Sequence, residues 1–378
     1  MKIEEFIIKD NKKMRLGYTT GTCATAASKA AIVMLLSHQN LKTVSVMTPK
    51  GILLTLDLFD IVIEDESVSC AICKDSGDDP DVTNGMLIYS KVTLTKREGI
   101  HIEGGLGIGR VTMPGLNQPV GAAAINSVPR QMIESNISEI IEDYGYEGGV
   151  DVVISAPDGV TIAQKTFNSK LGIVGGISIL GTSGIVEPMS DRAIVDTIRT
   201  ELNVKRAMKE KYLFITPGNY GETFIQENFL LSKENTVKCS NFIGETLEYA
   251  LECGFEGVLL IGHIGKLVKL AGGIMNTHSR YGDCRFEIFA THAALCGAEK
   301  TVIQQLQNSV TTEEMITVLE KVQLRDQVMQ SIMSQIEAHM NAKVYGKLIV
   351  GAITFSTNCG LLGMTSHAHS LILKESHS

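Results

Sequence analysis

Tryptophan is absent and aromatic residues make up only 5% of the chain. That removes the stacking platforms on which binders of single-stranded nucleic acid rely. Basic residues are outnumbered 34 to 42, for a net charge of −8. A broad phosphate-binding face is therefore excluded, and a polyanionic small molecule needs a local basic patch. The start, Met1-Lys2-Ile3-Glu4-Glu5, has mixed charge and lacks the apolar block of a secretory leader. No apolar run is expected to reach membrane-spanning length. The eight cysteines are scattered, not spaced as a disulfide framework. These absences predict a reduced, cytoplasmic protein that binds neither nucleic acid nor membrane.

What is present fits a large globular chain. It has 378 residues, 44% of them hydrophobic, enough for about two domains with sizeable cores. The stretch "LGYTTGTCATAASKAA" (16–31) runs from hydroxylated residues into a helix. Cys23, Ala27, Ala30 and Met34 share a face, and Thr22 or Thr20 is the expected cap. Such a start is either a well-capped core helix or, through its unpaired N–H groups, a seat for a carboxylate or phosphate. Strands are predicted at 43–47, 52–58, 68–74 and 87–96. The loop "DSGDDPDVTNG" gathers Asp75, Asp78, Asp79 and Asp81. It suits a cation, ribose hydroxyls or a sulfonium, or it is a solvated acidic turn. Calcium-loop spacing fails, because Met86 stands where the bidentate Glu belongs. Cys70 and Cys73 form C-x-x-C, but residues three apart on a strand face opposite ways. No second pair follows at zinc-finger spacing.

"HIEGGLGIGR" matches E-x-G-x-G-x-G through Glu103, Gly105, Gly107 and Gly109. The Rossmann version needs a helix next, and Pro114 and Pro119 forbid one there. A helix over 129–144 and a strand over 150–156 follow, then "LGIVGGISILGTSGIVEPMSD", whose glycines pack backbone on backbone or leave room for a ligand. The second half alternates differently. A helix over 190–209, strands at 212–216 and 257–261, and helices after "PGNYGE" and over 241–253 imply parallel strands with ligand loops at their carboxyl ends. "GHIGK" is too short for a P-loop and has Leu267 in place of Ser or Thr. Helical sequence over 285–340 and a late strand over 346–355 complete it, and the tail "SHAHSLILKESHS" reads as a frayed terminus. The expected architecture is an α+β domain over 1–195 and an α/β, parallel-sheet, Rossmann-like domain over 196–378.

Several blocks are long enough to carry a resemblance: "LGYTTGTCATAASKAA", "KDSGDDPDVTNG", "GLGIGRVTMPGL", "AINSVPRQMI", "LGIVGGISILGTSGIVEPMS", "TPGNYGE" and "GFEGVLLIGHIGKLVKLAGGIMNTHS". Together they resemble the cobalt-precorrin-5B C1-methyltransferase family of anaerobic cobalamin biosynthesis. The resemblance implies transfer of a methyl group from S-adenosylmethionine (SAM) to C1 of the macrocycle, giving cobalt-precorrin-6A and S-adenosylhomocysteine (SAH). Cobalt arrives inside the substrate, so no protein-bound metal is expected. The implied partner is the tetrapyrrole, with room for a homo-oligomer and transient contact with neighbouring pathway enzymes. On charge, SAM is assigned to Thr20, Gly21, Thr22 and Cys23, to Asp75, Asp78 and Asp79, and to Gly105, Gly107 and Gly109. The carboxylate-rimmed substrate is assigned to Arg130, Gly175, Gly176, Gly218, Asn219, Lys266, Lys269 and His278. His263 is the candidate base, with a hydrogen-bonded structural histidine as the alternative. Two other classes stay open: a non-catalytic tetrapyrrole-binding pathway protein, which lacks a saturable SAM site, and a thiol oxidoreductase using Cys70 and Cys73.

Overall fold

Helix α1 (Thr20–Ser37) is the spine of unit 1, the first of two units, 1–190 and 191–378. They belong to a computed structural model that describes residues 5–9, 11–229 and 236–375. Met1–Glu4, part of the start read above as no leader, lie outside the described residues. Alanines at 24, 26, 27, 30 and 31 are fully buried. Their small side chains let α1 lie close to helix α2 (Ser127–Tyr144) and to a mixed sheet. That sheet comprises β1 (Phe59–Ile63), β2 (Ser67–Cys73), β3 (Leu87–Thr95), β4 (Ile100–Gly104) and β5 (Gly149–Ser155). Its order is β1-β2-β3-β5-β4, antiparallel except for the parallel β5–β4 pair. Alternate residues, Val68, Cys70 and Ile72 on β2 and Val150, Val152 and Ile154 on β5, point into the core with α1. Each such aliphatic side chain contributes about 1.5–3 kcal/mol.

Two expectations about α1 change. By length and composition it is apolar enough to cross a membrane, although 78% of it is buried in unit 1. The cap is Thr19, not Thr20 or Thr22: Thr19 is extended (φ −79°, ψ 165°) and its side chain accepts from Thr22 N–H at 3.2 Å. The helix therefore starts earlier than the apolar pattern alone indicates. Thr20 and Thr22 instead donate to carbonyls of the glycine-rich segment, Leu180 at 3.3 Å and Gly184 at 2.7 Å.

Unit 2 is built on β6 (Tyr212–Thr216), β7 (Thr236–Lys238), β8 (Gly257–His263), β9 (Ile349–Ser356) and β10 (Gly360–Met364). The order is β7-β6-β8-β9-β10, parallel up to β9, with β10 antiparallel. The late strand thus joins unit 2, His263 opposite Phe355. Strand β8 reads GVLLIGH, buried on both faces as a central parallel strand requires. One face is covered by helices α3 (Asp191–Ala207), α4 (Ile243–Glu252) and α5 (Arg325–Lys343). The other packs Phe224, Ile225 and Leu371 against Phe214, Leu259 and Phe355. Leu371 lies on a terminal helix, Ala368–Glu375. That corrects the frayed tail: Leu371 packs against Gly257 and Gly351, and Ala368 against Gly351, where a Cβ would clash. His377 lies outside the described residues. Taken unit by unit, the chain is a mixed α/β protein with mixed sheets.

Candidate ligand-binding site

In an open parallel sheet the chain leaves a crevice where successive connections run to opposite sides, outside the carboxyl ends of the strands. In unit 2 that point lies between β6 and β8: β6 connects leftward to β7, and β7 returns past β6 to β8. A cavity of about 640 Å³ opens there. Its floor is Thr216, Pro217 and Gly218 after β6, and Gly262, His263, Gly265 and Lys266 at the end of β8. Its wall is Thr311–Glu313 with Asn358 after β9. A hollow of about 610 Å³ adjoins it, sharing Thr311, Glu313 and Asn358, but its carboxylates, Glu313 and Glu314, outnumber its one cation, Lys321.

His263 caps the next short helix. Its Nδ1 accepts from Gly265 N–H at 3.1 Å, which fixes the neutral ring as the Nε2–H tautomer. Nε2 then faces Glu313 Oε1 at 3.5 Å, and the ring stands edge-on to Phe355. Glu313 is held in turn by Ser356 Oγ (3.2 Å) and Asn358 Nδ2 (3.1 Å). Lys266 is half-buried and, among the described residues, has no carboxylate within ion-pair distance. Burial lowers its pKa, and Lys269 adds to that. Gly218 has open space where a Cβ would stand. Asn219 accepts from Lys238, which also pairs with Glu222.

The other predicted residues sit elsewhere. Lys269 is only 5% exposed and donates to the carbonyls of Thr277 and Gly282 at 3.3 and 3.0 Å, closing its own loop. His278 caps a turn by accepting from Arg280 N–H. In unit 1, Arg130 donates to the carbonyls of Ile125 and Ile102, both at 2.9 Å. Asp75 receives Arg15 in a bidentate pair at 2.6 and 2.7 Å. Asp78 accepts from Arg15 N–H and Asp79 from Met189 N–H. Gly21 N–H donates to Leu180 carbonyl. Cys23 is fully buried and its thiol is pushed up to about 12. Gly105 abuts Ser155, Gly109 abuts Gly176, and Gly176 in turn abuts Gly107. Gly175, with φ +87°, faces open space. Cys70 is buried against Ala27, its thiol also raised to about 12, and Cys73 bonds separately to the Gly85 carbonyl. No group of three or more His, Cys, Asp or Glu among the described residues is arranged to hold a metal.

Glu313, Tyr220 and Asn358 were missed by sequence reasoning. Thr311-x-x-Glu314 is a capping box, and both of its bonds form. That signature marks a helix start, but not that the residue inside it would meet a strand ending some 45 residues later.

The family model described as CbiD matches residues 7–188, and that described as CbiD, C-terminal domain, matches 276–366. A cobalt-precorrin-5B C(1)-methyltransferase of Ruminiclostridium cellulolyticum is 53% identical over 94% of this chain and 92% of its own length. One from Alkaliphilus metalliredigens is 47% identical over 98% and 97%. A crystal structure of a cobalamin biosynthesis protein (cbiD) from Archaeoglobus fulgidus is 28% identical, with a TM-score of 0.39 over 76% of this chain and 88% of that one.

Proposed function

This chain belongs to the CbiD family, and from that premise we propose that it is a SAM-dependent methyltransferase that methylates C1 of cobalt-precorrin-5B in cobalamin biosynthesis. The near full-length identity to enzymes of that name carries the reading. The products are cobalt-precorrin-6A and SAH. In the finer fold reading, unit 1 is an α+β domain and unit 2 a Rossmann-like one.

The step needs little covalent help from the protein. The electron pair of an electron-rich ring carbon forms the new C–C bond, the methyl–sulfur bond breaks, and that pair stays on sulfur as the SAH thioether. Holding donor and acceptor in line supplies about 7–11 kcal/mol when the geometry is ideal. Fixed dipoles and exclusion of water add to this. Within unit 2 the chain offers rigid strand ends for that purpose. His263 holds its Nδ1 on Gly265 N–H, so we assign it the role of an Nε2–H donor in place of base. The carboxylates of the acidic loop and the first turn of α1 are engaged in holding unit 1 together, which supports a structural role for them and a ligand role for the cavity in unit 2. Cobalt belongs to the substrate. The burial of Cys70 and its bonding apart from Cys73 weigh against thiol chemistry.

Incubation with SAM and enzymatically prepared cobalt-precorrin-5B, followed by mass spectrometry, tests this. The expected result is a product heavier by one methyl group with stoichiometric SAH. Binding of the macrocycle with no SAH formed favours the non-catalytic carrier instead.

A further inference from the structure

Among the described residues, each fully buried lysine has its partners. Lys74, 3% exposed, pairs with Asp81 at 2.6 Å. Lys205, 7% exposed, pairs with Glu210 at 3.1 Å. Lys269 takes two backbone carbonyls. Lys266 departs from this pattern: half-buried at the end of β8, it opens on the cavity with no carboxylate partner among the described residues. Desolvating an ammonium without a counter-charge is costly, so the arrangement is one completed by an anionic ligand.

The same cavity carries a fixed negative charge. Glu313 is oriented by Ser356 and Asn358 and faces Nε2–H of His263. Arg285 also lines the cavity but is paired with Asp283, so one free ammonium and one oriented carboxylate remain, and together they complement a ligand that carries both signs, such as an α-amino acid group. A tetrapyrrole rimmed by carboxylates has no use for Glu313. Volume agrees: about 640 Å³ lies within the roughly 300–1,000 Å³ typical for drug-sized ligands, the class to which SAM belongs. Tyr220, 72% exposed on the rim, offers a flat ring to a purine.

We propose that the cavity between β6 and β8 seats SAM, with Lys266 binding the α-carboxylate of its methionine part and Glu313 the α-ammonium. Lys266 thereby passes from the macrocycle to the methyl donor. The assignment rests on the methyltransferase reading above.

Calorimetry on the full chain with two commercial ligands tests it. SAH carries the amino-acid part; 5′-methylthioadenosine has the same adenosine and thioether sulfur without it. Lys266→Met is expected to weaken SAH by about ten- to a hundredfold, as loss of a charge-assisted hydrogen bond does, and to leave 5′-methylthioadenosine within about twofold. Lys266→Arg, which keeps the charge, is expected to retain most of the SAH affinity. Unchanged SAH binding in Lys266→Met overturns the assignment and leaves the methyltransferase reading standing, with Lys266 free for the macrocycle. Equal loss of both ligands also overturns it, since the effect is then not at the amino-acid end. A wild-type chain that binds neither ligand removes the methyltransferase reading, and the assignment with it.

Discussion

Asp81 sits in the acidic loop of unit 1 beside the ammonium of buried Lys74, 2.6 Å away, and also accepts from Thr83 N–H and Oγ1. Burial pushes its pKa up, but Lys74 and Thr83 more than offset that, so the net shift is downward from 3.8. A carboxyl whose folded pKa is depressed adds stability above its unfolded value, and that contribution is lost as pH falls through the folded value. Urea unfolding is therefore expected to show stability dropping steeply below about pH 4. Lys74→Met is expected to cost on the order of 3 kcal/mol at pH 7 and to flatten that acid limb. A flat acid limb in the wild type contradicts the role given to this pair. The loop also shows where sequence reading stops. Four aspartates within seven positions were legible as a charged turn. Their partners were not, because Arg15 lies 60 residues from Asp75 and Met189 lies 110 from Asp79, and no local pattern links them.

Elements were far more legible than their pairing. Helix α1, strands β2, β3 and β5 and the parallel strands β6, β8 and β9 follow from periodicity, which is local. What the glycine-rich segments do depends on strand register, which is not. A Cβ on Gly107, at φ +76°, would stand 1.7 Å from the Ala156 carbonyl oxygen, while one on Gly175, at φ +87°, meets nothing within 4 Å. Gly107→Ala is thus expected to destabilise unit 1 by about 3 kcal/mol or more, and Gly175→Ala by only the left-handed backbone strain of about 1–2 kcal/mol, both read by chemical denaturation. Similar costs for the two would show that backbone contact is not what Gly107 serves. The E-x-G-x-G-x-G pattern looked like a ligand loop because tight backbone packing and ligand room select the same residue.

On the scale of the whole molecule, the division of labour is the part the sequence concealed. Composition pointed to a local basic site, and the cavity in unit 2 has one in Lys266. Charge alone then suggested that acidic residues meet SAM and basic residues meet the macrocycle. The structure places the acidic loop in internal pairs and puts a lysine with no carboxylate partner among the described residues and an oriented glutamate at one switch point. The central claim is that unit 2 carries the methyl-donor site at the carboxyl ends of its parallel strands. A crystal structure of the full chain grown with SAH tests it most directly. The account predicts the nucleoside over Gly218 and Tyr220, with the amino-acid end between Lys266 and Glu313. SAH bound instead against Asp75, Asp78 and Asp79 of unit 1 would contradict it.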